Sequence, residues 1–254
     1  MSVGTPKHCA LVASTATRVV GDVLDSAGAC AYNWSMNATI PRESLGPYGF
    51  PHMTEVVPEG KLGEAEVLHF EVSELAAAMS AWKGGRNYVP DGRYAKLRVG
   101  GHLVMSDTRH ERVSNLEVVQ RAHGQVLIAG LGLGMILHAI LAKETVEHVT
   151  VVELSQDVVD LISPTLAQHS GRLTIVQGDI FEWRPARGTK YDCIYFDIWA
   201  EISTGALPEM ARLHQTFKGF KAPGAWMQSW ERESLKADRQ REARRYQPFA
   251  GYRW

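Results

Sequence analysis

The sequence predicts an α/β protein built on a mostly parallel sheet with helices on both faces, preceded by a small β-containing module. Short apolar segments alternate with longer amphipathic ones through the second half of the 254-residue chain. These short segments are apolar throughout rather than at every second position, which is typical of strands covered on both faces. A tight-turn hairpin pattern precedes them and accounts for the small module.

The first half of the chain is predicted to contain two units. Residues 1–63 are expected to form an irregular arm, because Pro and Gly interrupt the stretch 37–63 too often for a regular element. The small β-containing module follows over 64–122. Its predicted elements are a strand at 66–72, a helix at 73–82 with Ser73 as N-cap, hairpin strands at 94–99 and 102–105 joined by Gly100 and Gly101, and a helix at 108–121.

The remaining residues, 123–254, are predicted to form the main domain. Its strands are expected at 125–129, 148–153, 173–177, 191–196 and 224–230, and its helices at 135–142, 156–169, 207–217 and 231–245. Pro164 is expected to bend the second of these helices, since proline has no backbone N–H to donate.

Charge limits the expected partners. The chain has 27 Lys and Arg against 28 Asp and Glu, for a formal net charge of −1. It therefore lacks the basic field that attracts nucleic acid, and a small-molecule partner is expected ahead of a macromolecular one. No apolar run approaches the roughly 18 residues that a membrane span requires, so no membrane partner is expected.

Cysteine and histidine spacing bear on compartment and metals. The three cysteines are widely spaced and form no CxxC pair, which favours a reducing, cytoplasmic location.

The ten histidines include no HxxxH or HExxH motif. We therefore expect no metal site.

The most informative segment is the glycine-rich run Gly130-Leu-Gly132-Leu-Gly134, directly after a predicted strand. Alternate glycines allow a sharp turn from strand to helix and a close approach of ligand to backbone. The next helix then directs its N-terminal amides toward that ligand. A tight turn without a ligand would also explain the glycines on their own.

Acidic residues end the next three predicted strands. Glu153 lies 19 residues after Gly134, where a Rossmann-like site has an acid that accepts hydrogen bonds from ribose hydroxyls. Asp179 and Asp197 follow the third and fourth strands. Any one of them could be a helix N-cap or a surface carboxylate. Together they predict a ligand crevice at the carboxyl edge of a Rossmann-like sheet.

The motifs GLGLG at 130–134, VVELS at 151–155, QGDI at 177–180 and FDIW at 196–199 resemble those of class I S-adenosylmethionine-dependent methyltransferases. The similarity is strongest to the spermidine-synthase-like branch, and it covers roughly residues 102–230. The resemblance implies S-adenosylmethionine, or its decarboxylated form, as the bound cofactor. Members of this branch are commonly oligomeric, so the resemblance also implies a homodimer. The edge of the sheet would then be covered by a second subunit or by the N-terminal segment.

The resemblance further implies roles for individual residues. Gly130, Gly132 and Gly134 would face the methionine portion and the ribose, and Glu153 would bind the ribose hydroxyls. Leu154 would lie against the adenine face, with Asp179 and the Ile180 amide at the adenine edge. Asp197 would be the catalytic carboxylate, with Asp107 as a second catalytic candidate and His110 beside it. Trp199 is expected to line the acceptor pocket.

Two departures from the aminopropyltransferase pattern influence the expected reaction. Those enzymes usually have an acid within the glycine loop and another three residues after the strand-end Asp, where this chain has Leu133 and Ala200. Glu201 could substitute for the second acid. Because a cationic acceptor needs anionic partners, we expect methyl transfer from S-adenosylmethionine to an unidentified acceptor as the first hypothesis.

Three alternatives stay open at this stage. The first is aminopropyl transfer from decarboxylated S-adenosylmethionine, and the second is a non-catalytic protein that binds adenosyl nucleosides. The third is an NAD-dependent dehydrogenase, although Met135 occupies the position of the third glycine of GxGxxG.

Overall fold

The computed structural model describes residues 49–83 and 88–245, which form two sheets. The first is antiparallel with strand order β1-β2-β3-β4. Its strands are β1 (Gly60–Leu62), β2 (Ala65–Val72), β3 (Gly92–Val99) and β4 (His102–Ser106), with helix α1 (Met53–Val56) before it and α2 (Glu74–Lys83) between β2 and β3. Residues 1–48 of the predicted arm lie outside the described residues.

The predicted hairpin and its preceding helix are confirmed. Gly100 and Gly101 form the turn between β3 and β4 with φ of 58° and 80°, the two left-handed residues that a type I′ hairpin turn requires. Ser73 caps α2, because its Oγ accepts the Ala76 amide at 3.3 Å. The sheet begins earlier than predicted, since α1 and β1 lie within the segment assigned to the irregular arm.

The second sheet has five strands, all parallel, in the order β7-β6-β5-β8-β9. They are β5 (Gly124–Ala129), β6 (Val146–Glu153), β7 (Leu173–Gln177), β8 (Tyr191–Phe196) and β9 (Lys221–Ser229). The helices are α3 (Arg109–Ser114), α4 (Leu116–Arg121), α5 (Met135–Leu141), α6 (Gln156–Ile162), α7 (Leu207–Phe217) and α8 (Arg232–Arg245). This arrangement confirms the predicted α/β fold class.

Helices cover the parallel sheet on both faces. Along β5, Val126 and Ile128 belong to one buried cluster, whereas Leu127 and Ala129 belong to another that includes Phe217 of α7. Successive residues of a strand point to opposite faces, so both sides of β5 are buried. This is why the strand is apolar at every position.

The predicted helix at 108–121 is divided in two at Asn115. The Asn115 side chain is fully buried; its amide donates to the Glu111 carbonyl at 3.0 Å, and its oxygen accepts the Tyr195 hydroxyl at 2.8 Å. A buried Asn that binds both its own helix and a neighbouring strand competes with the regular helical pattern. The helix predicted at 156–169 is α-helical only as far as Ile162 and continues as a 3-10 helix over Ser163–Arg172, with Pro164 near its start.

Side-chain hydrogen bonds join the antiparallel sheet to the helix and the loop that flank the parallel sheet. The Asp157 carboxylate of α6 accepts the Glu64 amide at 2.8 Å, which joins the β1–β2 turn to the main domain. Met105 of β4 reaches the loop after β5, where its sulfur accepts the Leu133 amide at 3.0 Å. No helix within these ranges is long and apolar enough to cross a membrane.

Candidate functional site

The glycine loop joins β5 to α5. Gly130, Gly132 and Gly134 all adopt left-handed backbone conformations, with φ of 97°, 53° and 76°, which side chains with a Cβ rarely tolerate. A Cβ at Gly130 would also overlap the Asp197 carbonyl oxygen, and one at Gly132 would overlap the Met105 sulfur. The loop therefore needs glycine both for its conformation and for close packing.

Glu153 ends β6 beside this loop. Its two carboxylate oxygens accept the backbone amides of Leu131 and Ser155, each at 2.8 Å. Each carboxylate oxygen has more than one lone pair, so Glu153 can still accept from ligand hydroxyls while it holds the loop. Leu154 next to it is 68% exposed, so its apolar side chain is available for contact with a ligand.

Asp179 lies just after the end of β7, the strand that pairs with β6. One of its oxygens accepts the Phe181 amide at 2.8 Å, and Ile180 is buried. The Gly178 amide donates to the Glu153 carbonyl at 2.8 Å. Asp179 and Glu153 thus lie on directly joined strand ends, as the parallel topology predicts.

Asp197 ends β8 on the other side of the glycine loop. Its backbone amide donates to the Ala129 carbonyl at 2.8 Å, and its side chain lines a crevice together with the loop. Burial raises the pKa of Asp197 to about 7. The crevice is lined by Val104, Met105, Glu111, Ile128, Gly130, Leu131, Gly132, Met135, Ile136, Leu137 and Asp197.

Glu111 of α3 is a residue of this crevice that the sequence analysis missed. Burial, and after it the negative charges of Asp197 and Glu231, raise the pKa of Glu111 to about 8. The sequence contained one signal, since Glu111 lies one helical turn after Asp107, which was selected instead. Helical spacing alone could not show which of the two acids faces the crevice.

Glu231, between β9 and α8, is a second acid whose negative charge acts on Glu111. It has a φ of 53°, the one positive value among the non-glycine residues that the structure describes, and such conformations are often found at functional sites. Its carboxylate lies 3.8 Å from His110 Nε2, and the His110 ring packs edge-on against Trp230. The β9–α8 junction therefore adds an acid beside Glu111.

The assignment of Asp107 as a catalytic residue is corrected. Asp107 is fully buried, and its carboxylate accepts the amides of Ala95 and Met53 at 2.8 and 3.0 Å. It also pairs with Arg112 Nη2 at 2.9 Å. Asp107 therefore joins β3, α1 and α3 in the interior and does not reach the crevice.

The two residues expected at the acceptor pocket differ in their surroundings. The half-buried Trp199 donates its indole N–H to Glu209 at 2.9 Å and packs against the buried cluster of α7 and α8. Glu201 is exposed. Neither side chain lines the crevice at Asp197, so their contact with an acceptor stays a prediction.

The carboxyl ends of neighbouring parallel strands lie beside an acidic crevice. Glycines, Glu153 and Asp179 lie along one side, and Asp197 and Glu111 line the part next to the loop. Such carboxylates can hold a cationic group and accept a proton from it. Within the described ranges, no group of three or more His, Cys, Asp or Glu side chains is arranged to hold a metal ion.

Comparison with known proteins agrees with the resemblance seen in the sequence. Residues 107–218 match the family model of the spermine/spermidine synthase domain. The polyamine aminopropyltransferase 2 of Hyperthermus butylicus is 31% identical over 171 residues, which cover 64% of this chain and 52% of that protein. The polyamine aminopropyltransferase of Pseudomonas syringae pv. tomato is 32% identical over 105 residues, covering 38% and 36%.

The chain thus spans about half the length of the first relative and about a third of the second. Among solved structures, spermidine synthase from Thermotoga maritima has a TM-score of 0.43 at 16% identity, covering 68% of this chain and 55% of that one. The predicted resemblance to the spermidine-synthase-like branch is confirmed by the family match.

The preference for methyl transfer is corrected by the same findings. The matched domain and both curated relatives are named for polyamine aminopropyl chemistry. The preference depends on Leu133 and Ala200, which stand where aminopropyltransferases usually have acids. The sequence alone does not show that another acid, Glu111, lines the crevice.

Proposed function

We propose that this chain, whose residues 107–218 match the spermine/spermidine synthase domain, transfers an aminopropyl group from decarboxylated S-adenosylmethionine to a small amine. The observation that carries the proposal is the pair of carboxylates, Asp197 and Glu111, in the crevice that the glycine loop also lines. An amine acceptor is cationic in water, so it needs negative charge to bind and a base to release its lone pair.

The donor would bind along the carboxyl ends of the strands. Glu153 would accept hydrogen bonds from the ribose hydroxyls while it keeps the Leu131 amide, and Asp179 would bind the adenine edge near the Ile180 amide. The exposed side chain of Leu154 would cover the adenine face. The glycine loop would let the sulfonium approach the backbone, because Gly130 and Gly132 carry no side chains of their own. The Met105 side chain packs against Gly132 and lines the same crevice.

Asp197 would act as the general base. The acceptor arrives as an ammonium ion and loses one proton to the Asp197 carboxylate, which frees its lone pair. That lone pair attacks the aminopropyl carbon bonded to sulfur, and a C–N bond forms as the C–S bond breaks. The C–S electron pair stays on sulfur, which leaves as the neutral thioether of methylthioadenosine. Alignment of nitrogen, carbon and sulfur is the main contribution of the site.

The raised pKa of Asp197 fits this role. A carboxylate with a pKa of about 7 accepts a proton from an ammonium ion more readily than one with an ordinary pKa near 4. The physical cause is burial, since a partly desolvated carboxylate is less stable as an anion. The same burial strengthens its attraction for a cationic acceptor.

A turnover assay tests the proposal. Purified protein is incubated with decarboxylated S-adenosylmethionine and a panel of small mono- and diamines, and methylthioadenosine is quantified. We expect amine-dependent methylthioadenosine release from the wild-type protein and at least a hundredfold less from Asp197→Asn. Nucleoside binding without amine-dependent release for any amine would instead favour a non-catalytic binding protein.

A further inference from the structure

The aminopropyl donor ends in a primary ammonium group, which is protonated at neutral pH. In the spermidine-synthase-like pattern an acid of the glycine loop occupies the position of Leu133. Leu133 is fully buried, and its backbone amide binds the Met105 sulfur. The loop of this chain therefore offers no side-chain carboxylate to the donor, and the ammonium needs a partner from another element.

Glu111 is in a position to be that partner. It lines the crevice together with Gly130 and Gly132, although it comes from α3 rather than from the loop. Among the described residues that line this crevice, Glu111 and Asp197 are the acidic ones, and the others are glycine or apolar. A primary ammonium that extends from the glycine loop into this crevice would meet one of these two carboxylates.

Asp107 lies just before α3 and Glu111 lies on it, and their different contacts indicate different roles. The Asp107 carboxylate is occupied by two backbone amides and Arg112. For the Glu111 carboxylate, in contrast, no hydrogen bond or ion pair is found within residues 49–83 and 88–245. A half-buried carboxylate near another carboxylate is unfavourable without a cation. A bound ammonium ion would remove this penalty.

We propose that Glu111 binds the terminal ammonium of the donor and thereby selects decarboxylated S-adenosylmethionine over S-adenosylmethionine. This inference rests on the proposed function. S-adenosylmethionine carries an additional carboxylate on the same chain, which would face both Glu111 and Asp197. Like charges in a partly desolvated crevice repel strongly, so the two acids exclude the carboxylated form while they attract the decarboxylated one.

The proposal assigns different tasks to the two crevice acids. Glu111 holds the donor ammonium throughout the reaction, whereas Asp197 removes a proton from the acceptor. Glu111 is therefore a donor-specificity residue. Removal of the Glu111 carboxylate would change which donor binds and would leave the affinity for the nucleoside part unchanged.

Calorimetric titration with three ligands tests this assignment. Methylthioadenosine lacks the aminopropyl chain, decarboxylated S-adenosylmethionine has the ammonium alone, and S-adenosylmethionine has both the ammonium and the carboxylate. We expect the wild-type protein to bind the decarboxylated donor at least tenfold more tightly than methylthioadenosine, and S-adenosylmethionine more weakly than either. Glu111→Gln keeps the side-chain shape and removes the charge.

In Glu111→Gln the tenfold preference should fall to about onefold, while methylthioadenosine affinity stays within twofold of wild type. Glu111→Asp should recover part of the preference. The control Glu117→Gln removes an exposed acid of the next helix that pairs with Arg121, and it should behave as wild type.

The outcomes separate the two proposals. Retention of the full preference by Glu111→Gln, or an equal loss of affinity for methylthioadenosine and the decarboxylated donor, would overturn the role of Glu111 and leave the proposed function standing. A wild-type protein that binds neither of these two ligands would overturn the proposed function itself.

Discussion

The α carbon of Gly130 lies so close to the backbone carbonyl oxygen of Asp197 that a side chain at Gly130 would overlap this oxygen. The contact joins the start of the glycine loop to the end of β8, where Asp197, the proposed base, is located. The two strands pair directly, with Ala129 opposite Phe196. A change at Gly130 therefore affects the donor loop and the position of Asp197 together.

Gly130→Ala should destabilise the protein by more than about 3 kcal/mol, because left-handed strain and steric overlap act together. The matched control is Gly188→Ala, which has a similar φ of 90° but open space around the Cβ position. The control should lose about 1 kcal/mol from conformation alone. Urea denaturation of both variants measures the difference. Equal losses would show that the Asp197 contact adds nothing.

Glu153→Ala should weaken methylthioadenosine binding by about 1–3 kcal/mol, because charge-assisted hydrogen bonds to the ribose and to the Leu131 amide are lost. Glu147→Ala is the control, since Glu147 is an exposed acid on the same strand. It should leave the affinity unchanged. Isothermal calorimetry measures both. An unaltered affinity in Glu153→Ala would contradict the position proposed for the ribose.

Asp107→Ala should lower the free energy of unfolding by about 3–5 kcal/mol, because it leaves the Arg112 charge buried without its partner. The exposed pair of Glu117 and Arg121 supplies the comparison, and Glu117→Ala should cost less than about 1 kcal/mol. Denaturant unfolding measures both. A mild effect of Asp107→Ala on stability, combined with loss of turnover, would restore Asp107 as a catalytic candidate.

Much of the fold could be predicted from the sequence because the strands are short and apolar throughout. The order of Gly130, Glu153, Asp179 and Asp197 along the chain was enough to predict that they meet at one edge of a parallel sheet. Asp107 and Glu111 could not be distinguished in this way. They lie one turn apart at the start of α3, and only tertiary packing against Arg112 and α1 decides which acid is buried.

Stability should decrease as pH rises through the range in which Glu111 and Asp197 ionise. Their pKa values in the folded protein, about 8 and about 7, exceed the ordinary values near 4. The folded state therefore binds protons more tightly than the unfolded state between about pH 4 and pH 8, so deprotonation in this window favours unfolding. The charged groups that act on Glu111 are Asp197 and Glu231.

Glu111→Gln and Asp197→Asn should accordingly be more stable than the wild-type protein at pH 8 and closer to it at pH 5. Urea unfolding at the two pH values measures this, with Glu117→Gln as control. If the variants and the wild-type protein change in parallel with pH, burial does not raise the pKa of these carboxylates.

The rate of aminopropyl transfer should fall below about pH 7. The base form of Asp197 is required, and protonation of this carboxylate as pH decreases removes the acceptor for the amine proton. Burial alone raises the pKa of Asp197 to about 7, and Glu111, with a pKa of about 8, is still protonated while Asp197 titrates. Glu111→Gln should therefore leave the position of the acid limb unchanged. Steady-state kcat/KM between pH 5 and pH 9 measures the limb in both proteins, and a rate that does not fall below about pH 7 would argue against Asp197 as the base.

The whole account depends on the crevice at the carboxyl edge of the parallel sheet as the nucleoside site. A crystal structure of the protein with methylthioadenosine tests this most directly. The account predicts ribose hydroxyls at Glu153, adenine between Leu154 and Asp179, and the thioether beside Gly130 with its sulfur toward Asp197. A nucleoside bound elsewhere on the protein, with the glycine loop still covered by Met105, would contradict it.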